Sequence, residues 1–213
     1  MYYVFFLFLF VFCTLGSSAQ TVHELPFASR NNVLEFAIEN SATLSLEDVS
    51  VTATDVPPWL QVEPQSRTIG QISGGRIASA RFSLSVEQSA SVGQEHRISM
   101  TVRAASGMSW KKDLLISVAP PTSFELFQNY PNPFNPTTTI EYQLAAESAV
   151  QIRIYDLLGR EIGLLVDGRQ PAGSHRALWD AGRQSSGMYF YELLAEEAGG
   201  NQTVIRRAMM LLK

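Results

Sequence analysis

At 213 residues the chain has room for one or two domains. Its 16 Lys and Arg against 20 Asp and Glu leave a net charge of -4. That balance argues against a nucleic-acid binder, because no cationic field is available to displace counterions from phosphates.

The chain begins "MYYVFFLFLFVFCTLGSSAQ", a stretch without a charged side chain. Met1 to Leu15 form an apolar run, and Ser17 and Ala19 fit the small-residue pocket of a signal peptidase, with cleavage before Gln20. Residues 1–19 are therefore predicted to be a secretory signal peptide. The run is shorter than the ~20 apolar residues a permanent helical span requires. No Lys or Arg precedes the apolar core, which leaves an upstream start or a retained anchor as alternatives. Phe12 before Cys13 is not the small residue of a lipoprotein signal, so no lipid anchor is expected. Cys13 is the one cysteine, and after cleavage the mature chain holds no thiol. Disulfides, cysteine zinc sites and cysteine nucleophiles are excluded together.

Residues 20–118 alternate with the period of strands. Leu34, Phe36 and Ile38 share a face opposite Glu35 and Glu39. The pattern returns at Val49, Val51 and Ala53, at Ala80 through Val86, at Ile98, Met100 and Val102, and at Leu114, Ile116 and Val118. Short strands punctuated by Gly, Pro, Ser and Asn predict an immunoglobulin-like β-sandwich. "APPTS", residues 119–123, then interrupts with two prolines that hold the chain extended, a short stiff linker.

Residues 124–213 open on "NYPNPFNPTTTIEYQL". Each proline biases the residue before it away from helix, and the asparagines can bond their own backbone in turns. The expectation is a kinked, non-pairing strap that leads into a strand near Thr138, with Phe134 tucked beneath. Ile140, Tyr142 and Leu144 alternate, then Val150, Ile152 and Ile154. "DLLGR", Asp156 to Arg160, makes a turn in which Gly159 can take positive φ. Ile162, Leu164 and Val166 resume the alternation, and Gly168, Gly173, Gly182 and Gly187 mark further turns. "GMYFYELLA" is apolar on both faces and reads as a central strand, "GGNQT" as a hairpin loop and "VIRRAMMLLK" as the closing strand. The fold class is thus all-β: two immunoglobulin-like β-sandwich domains in tandem after a signal peptide.

Catalytic chemistry has no foothold in the sequence. His23, His96 and His175 are scattered, and none belongs to a paired metal motif. Asp156, Asp167 and Asp180 each stand beside a turn glycine, where a carboxylate caps backbone amides; the spacing of a calcium loop is absent. No nucleophile elbow, phosphate-binding loop or dinucleotide motif occurs. No catalytic residue, metal site or cofactor is predicted. Trp59, after Pro57-Pro58, is the one candidate ligand contact. It could serve as a sugar-stacking platform or as a plug closing the end of the sandwich.

Four segments taken in order carry a resemblance. "LFQNYPNPFNPTTTIEYQL", "VQIRIYDLLGREIGLLVDG", "PAGSHRALWDAGRQSSGMYFYELLA" and "MMLLK" together resemble the C-terminal sorting domain of the type IX secretion system (type A), across residues 124–213. The matching positions are Asn129, Tyr130, Pro131, Asn132, Pro133, Phe134, Asn135 and Pro136. They continue with Tyr155, Asp156, Gly159, Arg160, Ala172, Gly173, Trp179, Gly187, Tyr189 and the terminal Lys213. Ser186-Gly187-Met188-Tyr189 stands where the family often has a longer loop and a valine. The resemblance implies export from a Gram-negative cell of the Bacteroidota or a related phylum. The route runs across the periplasm to the outside or the cell surface. The implied partners are an outer-membrane translocon and, in many members, a sortase-like peptidase that removes the tail. Residues 20–118 are more weakly similar to immunoglobulin-like accessory modules and would be a non-catalytic interaction module. The alternative is a structural or adhesive surface protein that keeps its tail and binds a surface glycan through the first sandwich.

Overall fold

The computed structural model describes residues 22–213 in full and residues 4–11 by backbone alone; the expected cleavage site after Ala19 lies outside the described residues. The chain divides into two compact units, Met1–Ala119 and Pro120–Lys213. Every regular element among the described residues is a strand, and no helix there is long and apolar enough to cross a membrane.

The first unit holds β1 (Val4–Val11), β2 (Val22–Leu25), β3 (Asn32–Asn40), β4 (Leu46–Thr54), β5 (Leu60–Glu63), β6 (Ser66–Ile72), β7 (Arg76–Val86), β8 (His96–Arg103) and β9 (Ser109–Val118). One sheet runs β1-β3-β7-β5 and the other β2-β9-β8-β4-β6. The alternating residues do what their period requires. Phe36 and Ile38 of β3, Phe82 and Leu84 of β7, and Ile98, Met100 and Val102 of β8 all enter one core. Each such side chain, fully buried, contributes about 1.5–3 kcal/mol. Asn40 joins the sheets at one end of β3: its side-chain amide donates to Leu44 O and, across the sandwich in β6, to Ile72 O at 2.9 Å. Nearby, a Cβ on Gly74 would lie 2.4 Å from Thr43 O, so only glycine fits there. β2, β5 and β6 were not foreseen. Four-residue strands carry too few repeats to show a period, and only Ile72 of β6 is fully buried.

The second unit holds β10 (Glu125–Leu126), β11 (Thr137–Leu144), β12 (Ser148–Tyr155), β13 (Glu161–Gln170), β14 (Gly173–Asp180), β15 (Gly187–Glu197) and β16 (Gln202–Leu211). A three-stranded sheet, β10-β11-β14, faces a four-stranded one, β13-β12-β15-β16. β15 is central, flanked on both sides by antiparallel partners, and it buries one face, Tyr189, Tyr191, Leu193 and Ala195, while Phe190, Glu192 and Leu194 on the other are half-exposed. Tyr142 and Tyr191 are the largest fully buried side chains.

Three expectations are corrected. The strap is not non-pairing: Tyr130 bridges Thr139 of β11, and Phe134 bridges Leu211 of β16 in parallel. Proline removes its own amide from a ladder, but Phe134 keeps its N–H and uses it. In β13 the alternation breaks, because register shifts against β12 at Ile152/Arg153 and Ile154/Tyr155 insert extra residues. Leu164 consequently faces solvent while Leu165 packs on the core. Gly168 lies within β13 opposite Val150 rather than in a turn. Its neighbour Asp167 accepts a hydrogen bond from the Gln151 amide at 3.0 Å instead of capping a loop.

Candidate functional site

The strap that precedes β11 is bound on three sides. Asn129, almost wholly buried, donates through its side-chain amide to Pro131 O at 3.0 Å and to Thr138 Oγ1 at 2.9 Å, while its carbonyl oxygen accepts from the Gln128 amide. Its backbone N–H donates to the Tyr191 hydroxyl at 2.9 Å, and that hydroxyl in turn donates to Phe127 O at 2.8 Å. A buried phenol needs a partner for its O–H, and here it serves as donor and acceptor at once. Burial raises the Tyr191 hydroxyl above its usual value, although the Asn129 amide and the Arg207 charge pull the other way.

Further along, the strap lies against the last strand. Phe134 N–H donates to Met210 O and Leu212 N–H donates to Phe134 O, both at 3.0 Å. Met210 N–H also donates to Asn132 Oδ1, and the Gln128 amide to Ala208 O. An edge strand left bare would be a template for another chain; in β16 the strap covers that edge. The Phe134 ring lies 5.3 Å from Trp179 of β14, which meets Tyr189 of β15 edge-on at 5.4 Å. The Tyr189 hydroxyl donates to Ser185 O. Asn129, Phe134, Trp179 and Tyr189, drawn from four places in the sequence, thus close one end of a single core. Tyr130, Pro131, Asn132, Pro133, Asn135 and Pro136 face solvent, Tyr130 at 82% exposure. The residues missed from sequence are Tyr191, Thr138 and Gln128. Two inward tyrosines at alternate positions of β15, each needing a hydroxyl partner, were the available signal.

A second group gathers at the turn after β12. One Asp156 carboxylate oxygen accepts from the Leu158 and Arg160 amides, at 2.9 and 3.0 Å, and the other pairs with the Arg160 guanidinium at 2.7 Å. Desolvation pushes that carboxyl up, but the bonds from Arg160 and Leu158 outweigh it and hold it below the ordinary carboxylate range. Gly159, at φ 77°, completes the turn. Tyr155, the last residue of β12, lies beneath the Arg206 guanidinium, 5.4 Å from its ring centre. Gly173 and Gly187 open β14 and β15 at φ 131° and 157°. Lys213 closes the neighbouring loop: its N–H donates to Ser186 Oγ and its ammonium to Gly182 O at 2.8 Å.

In the first unit Trp59 is 7% exposed and packs in the core, edge-on to His96 at 5.0 Å. It plugs the sandwich and presents no open ring face. His96 and His23 are less scattered than the sequence implies, since both stand opposite Ile116 of β9. Burial lowers the His23 pKa. His175 stacks on Tyr142. Among the described residues no three His, Cys, Asp or Glu come together as a metal site would need.

Residues 128–207 match the model of the family described as the secretion system C-terminal sorting domain. The second unit is a sorting domain of that family. It is a sorting domain of the type IX secretion system, and such a domain directs its protein to secretion. No curated protein matches the chain. Among solved structures, the dimeric latent PorU of Porphyromonas gingivalis is similar at 13% identity and a TM-score of 0.36, over 95% of this chain and 20% of PorU. The CupB2 chaperone of Pseudomonas aeruginosa is similar at 12% identity and 0.30, over 88% of this chain and 97% of its own. The YadV chaperone follows at 10% and 0.30, over 89% and 98%. These three likenesses supply no residue correspondence for either unit.

Proposed function

We propose that this is an exported protein whose sorting domain is docked, as a preformed surface, by the outer-membrane translocon of a type IX secretion system, with a sortase-like peptidase as the next partner. The observation that carries the reading is the family match over residues 128–207, which falls within one compact unit, Pro120–Lys213. Recognition suits what the unit offers: a rigid strap, a braced turn and a tethered terminus rather than a cleft lined by reactive groups.

The first unit is the passenger, and its role is a non-catalytic interaction. The ion pairs of three of its acidic residues support this. Glu35 pairs with Arg81, Asp55 with Lys111, and Asp113 with Arg97, while Ser99 donates to Asp113 at 2.7 Å. Carboxylates so engaged brace strands; they are not poised for proton transfer. The burial of Trp59 favours a packing role for that ring over glycan binding.

The test is export itself. In a host with the secretion system, the chain lacking residues 124–213 is expected to stay in the periplasm while the full chain reaches the surface or medium. Equal release of both would overturn the reading.

A further inference from the structure

The sorting domain carries an unusual turn. Leu157 and Leu158 stand at its tip with 64% and 79% of their surface exposed, although leucine is an expensive residue to leave in water. The turn is not loose: the three hydrogen bonds and the ion pair on Asp156 fix it, so the two side chains are presented on a rigid support. Binding through such a feature forfeits little ordering entropy.

The surroundings add a few apolar side chains among polar ones. Leu157 and Leu158 border a groove of about 390 Å³ that Met188 also lines. Met188 stands directly across from Met210 in the β15–β16 ladder, and both are exposed, as is Leu212 just beyond. Leu157 borders a second groove of about 210 Å³ with Phe190 and Arg206. Leu157, Leu158 and Met188 line one groove and Met210 stands beside Met188, so these exposed apolar residues make one patch, and patches of that kind mark interaction sites.

Cations ring the patch. Arg160 and Arg183 line the larger groove, Arg206 the smaller, and Lys213 is tied to Ser186 on the groove wall. The positive charge in excess at the patch rests on Arg183 and Lys213, because Arg160 and Arg206 are each paired with a carboxylate, Asp156 and Glu192.

We propose that the Leu157–Leu158 tip, with its flanking grooves, is the surface by which the export machinery reads this sorting domain. The partner is a protein pocket, apolar at its floor and rimmed by carboxylates. A knob with a groove on either side calls for a partner with matching ridges, which a folded protein supplies and a bilayer does not. The inference rests on the sorting reading above.

The test uses the full chain in a host with the secretion system. Replacing Leu157 and Leu158 together with serine is expected to cut the secreted fraction at least tenfold, while the melting temperature of the purified protein stays within a few degrees and the protein accumulates folded in the periplasm. Arg183→Glu is expected to cut it several-fold. Leu178→Ser with Val204→Ser, equally exposed but away from the patch, is expected to export normally. Unchanged secretion of the leucine pair would overturn the proposal, as would an equal loss in the control pair. Binding of the purified full chain to anionic phosphatidylglycerol vesicles, abolished by the leucine changes, would also overturn it in favour of a lipid partner. If deletion of 124–213 blocks export and the leucine changes do not, this inference alone fails; if the deletion does nothing, the sorting reading fails first.

Discussion

Trp179→Ala is expected to cost the sorting domain about 3–5 kcal/mol, the usual range for deleting a buried aromatic side chain. The ring is 6% exposed and stands between Phe134 of the strap and Tyr189 of β15. Removing it empties the contact that joins the strap to both sheets. A domain of this size has about 5–15 kcal/mol in all, so the variant would retain a narrow margin or none. With no thiol after residue 13, no disulfide can compensate. Amide hydrogen exchange separates this loss from effects on the first unit: amides of β11 and β15 should lose protection, while those of β3 and β8 keep theirs. Trp179→Phe, which retains an aromatic ring at the site, should cost less than half as much. Export of the alanine variant should fall with its folded fraction. Full protection of β11 and β15 in Trp179→Ala would show that the strap is held by its hydrogen bonds alone.

Tyr191→Phe is expected to cost about 2–3 kcal/mol, although it leaves the packing almost unchanged. The hydroxyl is the only group lost, yet Asn129 N–H and Phe127 O both lose a partner, and a buried polar group without one costs about 1–3 kcal/mol. The strap should open before the sandwich does, so the Asn129 amide is the first to exchange. The effect also depends on pH. Burial holds the Tyr191 hydroxyl above its ordinary value of 10.0. The unfolded chain therefore gives up this proton more readily than the folded one. Its stabilisation is complete below about pH 10 and declines as pH rises through the folded value. Phenylalanine lacks that titration, so the gap between wild type and variant should narrow in alkaline solution. A gap that stayed constant through pH 11 would show that the hydroxyl is as free in the fold as in the unfolded chain.

The strands with regular alternation were legible from sequence because burial on one face forces a period of two. Leu34, Phe36 and Ile38, and Ile140, Tyr142 and Leu144, fall as their spacing demands. Leu164 and Leu165 were not legible. A bulge is decided by how two strands meet, and nothing local to β13 announces that an extra residue enters there. The strap was read half correctly. Its prolines exclude a helix, but its pairing with β16 joins residues far apart in the chain, Phe134 with Leu211, which no local rule reaches. Tyr191 was missed for the same reason, since its partners lie 62 and 64 residues upstream. The residues that the motifs named fall into two groups in the structure. Asn129, Phe134, Trp179 and Tyr189 hold the unit together, while the Asp156–Arg160 turn and the Lys213 loop present it outward. Leucines in a turn carry no sign of their exposure until the turn is placed on the sheet.

Transplanting the tail tests the account most directly. Residues 120–213, fused behind a signal peptide and an inert folded reporter, should carry that reporter to the cell surface or medium in a host with a type IX system. The same fusion should remain periplasmic in a strain lacking the translocon. A reporter that stays inside both strains, or leaves both equally, would contradict the claim that this domain is sufficient to direct secretion.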